Sequence, residues 1–415
     1  MRDVIAPVYM IGRAMSLSRR IQATDTPCIV TMQQMMRGRT DVLSLAQGIV
    51  HWSPPPEALA SAAKLVGEHS TSLYGADDGL PEVRAALKTK LAQENNITAS
   101  EVMVTAGANQ AFTNIVLSLL DASDACALFK PYYFNHLMAL QMTGAGSGAD
   151  IFIAPSTTEL QPDVNALRSE MYQRKAQGRP PIKLVATSNP GNPTGVMIPK
   201  VRLLELSALC AEHGAWLVID NTYEHFAYPN ETPHECIEAA HIVNVFSFSK
   251  AFGMMGWRVG YLAYPPPLAP EMLKAQDTII ICPSILSQRL ALAAMEPGRC
   301  WVLERVAGLA EQKALVLEAL TTALPAGSIQ GGSGAIYLFC KLPVEDDLAA
   351  VRWLTKKHKI ATIPGSACGM PGHFRVCYAN LPLETTRDAA ERLRAGLAEL
   401  AAGGVDLSDE ALAQL

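Results

Sequence analysis

Residues 242 to 264, IVNVFSFSKAFGMMGWRVGYLAY, hold the pattern on which the fold turns. The stretch opens on an apolar β-branched and aromatic run, IVNVFSF (242–248), and closes on another, VGYLAY (259–264), both strand patterns, with a glycine-containing segment between them. Ser247, Ser249 and Lys250 stand where the first run ends, and Arg258 precedes the second. A lysine that closes a buried apolar strand is costly unless it is paired or covalently used. In an open α/β sheet, ligands collect in the crevice beyond the carboxyl ends of the strands, so Lys250 directs attention to the other strand ends.

The same rhythm extends from about residue 100 to 265. EVMVT (101–105), CALFK (126–130), KLVATS (183–188) and WLVID (216–220) read as strands, and QAFTNIVLSLL (110–120), DVNALRSEMYQRKA (163–176) and VRLLELSALCAEHG (201–214) as helices. Strands that are apolar throughout and separated by helices predict an α/β fold with a mostly parallel sheet covered on both faces. After residue 300 the pattern changes to a long amphipathic stretch (301–324), AIYLFCKL, a helix near 346–358, IATIP, FRVCYA and a helix over 383–402. This predicts a smaller α+β domain. The divisions expected are an arm and part of the small domain (1–50), a large domain (51–300), the small domain (301–402) and a tail (403–415), frayed or a short surface helix.

Composition narrows the function classes. The chain has 415 residues, 49% hydrophobic and 18% charged, which excludes wholesale disorder. Its 34 Lys+Arg against 39 Asp+Glu give a net charge of −5 with no basic stripe, so nucleic acid is not an expected partner. Nine cysteines fall singly with no CxxC, which reads as reduced thiols and no metal site. No window approaches the ~18–20 uncharged apolar residues of a membrane span, so no membrane partner is expected. The first twenty residues carry Arg2, Asp3, Arg13, Arg19 and Arg20 without a long apolar stretch, and the expectation is a cytoplasmic protein with a loose terminal arm. A short organelle-targeting extension is the alternative.

The other strand ends are as polar as the first. EVMVT runs into AGANQ, which sets the amides of Gly107, Ala108 and Asn109 at a helix amino terminus, a natural phosphate seat although also a common turn. KLVATS ends in SNPGNPTG (188–195) with Asn192, and WLVID ends on Asp220 with Tyr223 three residues later. Singly, these read as a tight loop and as a helix cap or ion-pair member. Together they match the needs of pyridoxal 5'-phosphate. Its aldehyde takes a lysine (Lys250), and its pyridine nitrogen takes a carboxylate (Asp220). Its phenolate oxygen takes donors (Tyr223, Asn192), and its phosphate takes Ser247, Arg258 and the 107–109 turn.

SNPGNPTG, DNTYE, SFSKAFGMMGWRVGY and FRVCYA resemble the successive signatures of fold-type I, class I/II aminotransferases, over about Ser16 to Ala402. LAQGIVHWSPP, YGADDGLPEVR, VTAGANQAF, PYYFNHLMALQMTG and the 242–264 stretch are most similar to the plant aromatic aminotransferases that use methionine with indole-3-pyruvate or phenylpyruvate. The resemblance implies a seven-stranded sheet in the large domain. It also implies that Lys250 is the Schiff-base lysine, Asp220 the pyridine partner, and Asn192 and Tyr223 the phenolate ligands. Ser247, Arg258 and the amides of Ala108 and Asn109 would bind phosphate; Tyr133 would stack on the ring; His136 would support the aspartate. Arg375 and the Gly48 amide would hold the substrate carboxylate, near Asn192, while Ile49, His51 and Trp52 would line the side-chain pocket. Tyr74 would reach the neighbouring subunit's phosphate, which implies a homodimer with shared sites. One departure is NPTG where these plant relatives read NPSG.

The implied reaction is a ping-pong exchange of an amino group between amino acids and 2-oxo acids. Two rivals stand beside it. A β-eliminating or aminocyclopropane carboxylate synthase-like lyase would use the same residues, whereas a cofactor-sensing regulator would need ~60–70 further residues for a helix-turn-helix unit. The expected pocket segments GIVHW (48–52), PYYFNH (131–136) and IIICPS (279–284) hold no Arg or Lys, which points to neutral, bulky substrates rather than dicarboxylates.

Overall fold

A computed structural model describes residues 16–144 and 151–415; Arg2, Asp3 and Arg13 of the expected arm lie outside them. Seven strands form the main sheet: β1 (Glu101–Thr105), β2 (Ala125–Phe129), β3 (Ile151–Ala154), β4 (Ile182–Ser188), β5 (Trp216–Asp220), β6 (Ile242–Ser247) and β7 (Gly260–Tyr264). Their order is β1-β7-β6-β5-β4-β2-β3. All neighbours run parallel except β7, which is antiparallel to both β1 and β6. The sequence reading found six of these strands. The seventh, β3, is a four-residue edge strand, too short to display a period.

Both faces are covered, which is why the strands carry apolar residues at successive positions. Val218, Val245 and Leu262 meet Phe112, Ile115 and Val116 of the helix Ala108–Leu119 on one face. Leu217, Ile219 and Val185 meet Leu167 and Met171 of the helix Val164–Gln177 and Leu203 and Leu206 of Lys200–Glu212 on the other. The helix Val164–Gln177 starts where Asp163 accepts the Ala166 amide at 2.9 Å and stops at Gly178, whose φ is 64°.

A second, antiparallel sheet is built from Ile329–Gln330, Tyr337–Lys341, His373–Cys377 and Ile363–Pro364. The amino-terminal segment returns to it. Leu43–Ser44 pairs in parallel with Ile360–Ala361, and the Cys377 amide donates to the Leu45 carbonyl at 2.8 Å. The long amphipathic stretch 301–324 falls in two helices, Gly298–Ala307 and Ala310–Ala323. Gly308 weakens the helix there, and the fully buried Leu309 turns the chain inward. The tail is a short helix, Asp409–Ala413, rather than a frayed end, because Leu412 is buried in the core of this second layer.

The loop after β5 is fastened by a buried ion pair. Lys90, at the end of the helix Pro81–Lys90, approaches Glu224 to 2.5 Å, and the Asn95 amide donates to the other carboxylate oxygen at 2.7 Å. Burial alone would raise the Glu224 pKa, but Lys90 and His225 outweigh it and hold the carboxyl at about 2. A depressed carboxylate contributes stability above its unfolded value and loses it as pH falls through the folded value. Urea unfolding of the wild type should therefore show stability draining between about pH 4.5 and pH 2. Lys90→Met should lose about 3–5 kcal/mol at pH 7 and show a shallower acid slope, because its Glu224 is an unpaired buried charge. Equal stability at pH 7 would mean that the pair holds nothing in place.

Candidate active site

Strand register puts the polar strand ends at one level. Ser188 of β4 is paired with Asp220 of β5, and Asp220 with Val245 of β6. Because β7 runs against its neighbours, its first residue, Gly260, lies opposite both Ser247 at the end of β6 and Thr105 at the end of β1. The cavity at this edge has a volume of about 250 Å³ and is lined by Ala108, Asn109, Asn192, Asp220, Tyr223, Ser247, Lys250 and Arg258. Gly48, Tyr133 and Arg375 join them from three other segments.

Lys250 is half-buried in this cavity. Burial, with smaller pushes from Arg258 and Arg375, pulls its amine from an ordinary 10.5 down to about 8, against the opposing pull of Cys377 and Asp220. Asp220 has the opposite fate. Burial would raise its pKa, yet His136 Nε2 at 3.2 Å and the Thr222 amide and hydroxyl at 3.0 and 2.6 Å hold the carboxylate ionised, below its usual range. His136 is buried behind it, stacked on Phe112 with centroids 4.1 Å apart. Tyr133 meets the edge of His136, and its hydroxyl takes the Asn135 amide at 2.9 Å.

The expected phosphate seat is an open cradle. The helix Ala108–Leu119 begins at Gly107, and the first amides of a helix have no intrahelical partner. Gly260 keeps β7 close beneath them: a Cβ there would lie 2.7 Å from the Ala108 amide nitrogen and from the Gly107 carbonyl carbon. Arg258 is fixed in the left-handed region, φ 56°, and donates to the Met255 and Ala106 carbonyls at 2.7 and 3.2 Å. Strain at such a position is typical of functional sites.

Arg375 comes from the strand His373–Cys377 and is 2% exposed. Its Nη1 donates to Asn192 Oδ1 at 2.7 Å and its Nη2 to the Ala46 carbonyl at 2.6 Å, while Nε has no partner among the described residues. A buried guanidinium nitrogen without an acceptor is costly, and a carboxylate is its natural complement. Gly48 is held against the same corner, since a Cβ there would overlap the Tyr337 hydroxyl.

Several expected positions fall elsewhere. Trp52 does not line the cavity; it stacks on Phe226 and donates to the Ala251 carbonyl at 3.4 Å, and His51 is exposed. Residues 279–284 are also absent from the lining, with Ile279 and Ile281 exposed on the surface. Tyr74 is 80% exposed and stands apart from its own chain's cavity. Tyr223 is in place, but its hydroxyl is hydrogen-bonded to Tyr337. The lining that sequence reading left without a role consists of Ile29, Gln47, Thr222, Ser249, Met255 and Tyr337, while Phe134 comes from the expected pocket segment PYYFNH. Thr222 and Ser249 sat beside assigned residues, whereas Ile29 and Tyr337 carried no sequence signal beyond apolar patterning.

The depressed Lys250 amine has a direct consequence. In the cofactor-free protein its labelling by trinitrobenzenesulfonate should rise with a midpoint near pH 8, well below that of surface lysines, with the peptide identified by mass spectrometry. A midpoint near 10 would show that Lys250 is not desolvated. Between about pH 8 and 10.5 the unfolded chain binds more protons at this group, so cofactor-free stability should rise with pH there, and Lys250→Met should remove that rise.

Residues 40–393 match the family model of aminotransferase class I and II. Across 390 residues the chain is 47% identical to aromatic aminotransferase ISS1 of Arabidopsis thaliana, covering 92% of this chain and 97% of that protein. Among solved structures, a Thermus thermophilus aspartate aminotransferase variant superposes with a TM-score of 0.82 at 27% identity, covering 92% and 100% of the two chains. An aromatic aminotransferase from Pyrococcus horikoshii OT3 gives 0.78 at 26%, covering 89% and 99%. The lysine, the ionised aspartate, the helix-end cradle and the buried arginine thus stand in a chain that matches this family over residues 40–393, and the protein belongs to the class I and II aminotransferases.

Proposed function

We propose that the cavity holds pyridoxal phosphate and that the enzyme moves amino groups between methionine or aromatic amino acids and aromatic 2-oxo acids such as indole-3-pyruvate and phenylpyruvate. The family is pyridoxal phosphate-dependent, and the residues present fit the group. Arg258, Ser247 and the Ala108 and Asn109 amides would hold the phosphate in the cradle that Gly260 keeps open; Tyr133 would cover the ring; Asp220 would face its nitrogen; Asn192 and Tyr223 would reach its phenolate oxygen. When bound, it supplies an electrophilic carbonyl and an electron-withdrawing ring that make the α-hydrogen of an amino acid removable.

The chain's own residues do the rest. The Lys250 amine, half neutral near pH 8, takes a proton from the α-carbon of the amino donor in one half-reaction and delivers one to the α-carbon derived from the oxo acid in the other, as a general base and acid must. Asp220 stays anionic throughout, because His136 and Thr222 fix its charge before any substrate arrives. Arg375 offers the substrate carboxylate a planar fork already oriented by Asn192 and the Ala46 carbonyl, which lowers the entropic cost of alignment.

One observation supports the substrate class. Among the described residues of one chain, the cations lining the cavity are Lys250, Arg258 and Arg375, and each has a task in this reading, which leaves none of them for a distal carboxylate. Ile29, Ile49, Phe134 and Met255 offer apolar surface instead. The name of the Arabidopsis relative as an aromatic aminotransferase agrees with this. We also propose a homodimer: Tyr74, Leu73, Ile279 and Ile281 are exposed in a single chain, and a second copy would bury them and bring each Tyr74 to the other copy's phosphate seat.

The test is an amino-donor by oxo-acid matrix with purified protein. Each buried CH₂ is worth roughly 0.8 kcal/mol, so methionine and phenylalanine should exceed alanine in kcat/KM by about tenfold or more, and aspartate with 2-oxoglutarate should be poor. Greater efficiency with aspartate plus 2-oxoglutarate than with methionine plus phenylpyruvate would overturn the substrate class.

A further inference from the structure

We propose that Tyr337 is a positioning residue with two separable tasks: its ring supports the Arg375 guanidinium, and its hydroxyl turns the Tyr223 proton toward the cavity. This rests on the functional reading above and adds a residue to it. Tyr337 is 1% exposed and sits on the strand Tyr337–Lys341. The register pairs Tyr337 with Cys377 and Phe339 with Arg375, which makes Tyr337 and Arg375 diagonal neighbours on one face of the sheet. The guanidinium carbon lies 4.2 Å from the centroid of the Tyr337 ring. Such a contact holds a cation over an aromatic face without occupying any of its donors, so the fork stays available for a carboxylate.

The hydroxyl end makes the second link. Tyr337 Oη and Tyr223 Oη are hydrogen-bonded, with the two rings edge to face and centroids 5.4 Å apart. Each phenol has one proton, so only one of the two donates within the pair. Arg375 lies directly over the Tyr337 ring, and a cation there makes that phenol the stronger donor. Burial raises both phenols; after burial the largest influence at Tyr337 is Arg375, which opposes the rise, whereas at Tyr223 it is Tyr337, which adds to the rise, and Arg375 opposes it less. Tyr223 therefore accepts from Tyr337 and keeps its own proton for the cavity, where a donor strengthened by accepting is most effective. Gly48 completes the arrangement, because only a residue without a Cβ leaves room for the Tyr337 hydroxyl.

Two variants separate the tasks. Tyr337→Phe keeps the ring and removes the hydroxyl. In the holoenzyme it should lower kcat about tenfold, the scale of one hydrogen bond, with KM for the amino donor within about twofold of wild type. The pH titration of the bound cofactor's visible absorbance should move up by about half a unit or more, because a donor to its phenolate oxygen is weakened. Tyr337→Leu also removes the ring. Calorimetric titration of cofactor-free protein with 3-phenylpropionate, a carboxylate with no amino group, should then weaken about tenfold, while Tyr337→Phe should bind it like wild type. A Tyr337→Phe enzyme with wild-type kcat and an unmoved titration would overturn the hydroxyl's task, and unweakened 3-phenylpropionate binding by Tyr337→Leu would overturn the ring's. A wild-type protein with neither visible absorbance nor transamination would instead overturn the functional reading, and the hydroxyl's task with it; the calorimetric comparison would still decide the ring's.

Discussion

One antiparallel strand in an otherwise parallel sheet fixes the chemistry of this protein. Because β7 runs against β1 and β6, its amino end rather than its carboxyl end meets the edge where Ser247, Asp220 and Ser188 finish their strands. That end is Gly260, and only glycine allows β7 to lie under the Gly107–Ala108 backbone. Arg258 stands two residues before it, in a left-handed conformation that its carbonyl contacts maintain. The anion seat, the lysine and the aspartate are thus brought to one level by strand direction, and the helix Ala108–Leu119 adds its amino-terminal amides to the same place.

The second sheet supplies what the first lacks. Arg375 and Tyr337 belong to neighbouring strands of that sheet, and Gly48 follows the amino-terminal segment whose Leu45 carbonyl accepts from the Cys377 amide of the same sheet. Two bonds cross between the layers at this point: Arg375 to Asn192, which follows β4, and Tyr337 to Tyr223, which follows β5. The carboxylate clamp proposed for Arg375 is consequently positioned by residues of both sheets. Any movement of one relative to the other would change the clamp and the phenol together.

Much of this was legible in the sequence because charge and polarity interrupt an apolar run conspicuously. Asp220 closes a strand that is otherwise hydrophobic, Lys250 and Asn192 follow the ends of two others, and Arg375 lies inside a fourth; all four line one cavity. What escaped reading was apolar or tertiary. Tyr337, in AIYLFCKL, looks like any core aromatic until register sets it beside Arg375. Ile29 reaches the cavity from a helix far away in sequence, and nothing local marks it. The expected pocket segment IIICPS does not reach the cavity of its own chain, where Ile279 and Ile281 face outward. Trp52, next to Gly48 in the same motif, packs on Phe226 instead of facing the cavity. The helix break at Gly308 was hidden by an amphipathic pattern that continues through it.

The central claim is that the desolvated amine of Lys250 is the group that bonds the cofactor. The most direct measurement is reduction of the purified, cofactor-loaded protein with borohydride, followed by proteolysis and mass spectrometry of the lysine-containing peptides. The expected result is a single pyridoxyl adduct on the peptide that carries Lys250, with loss of the visible absorbance. An adduct on a different lysine, or an unmodified Lys250 peptide in protein that retains transaminase activity before reduction, would contradict it.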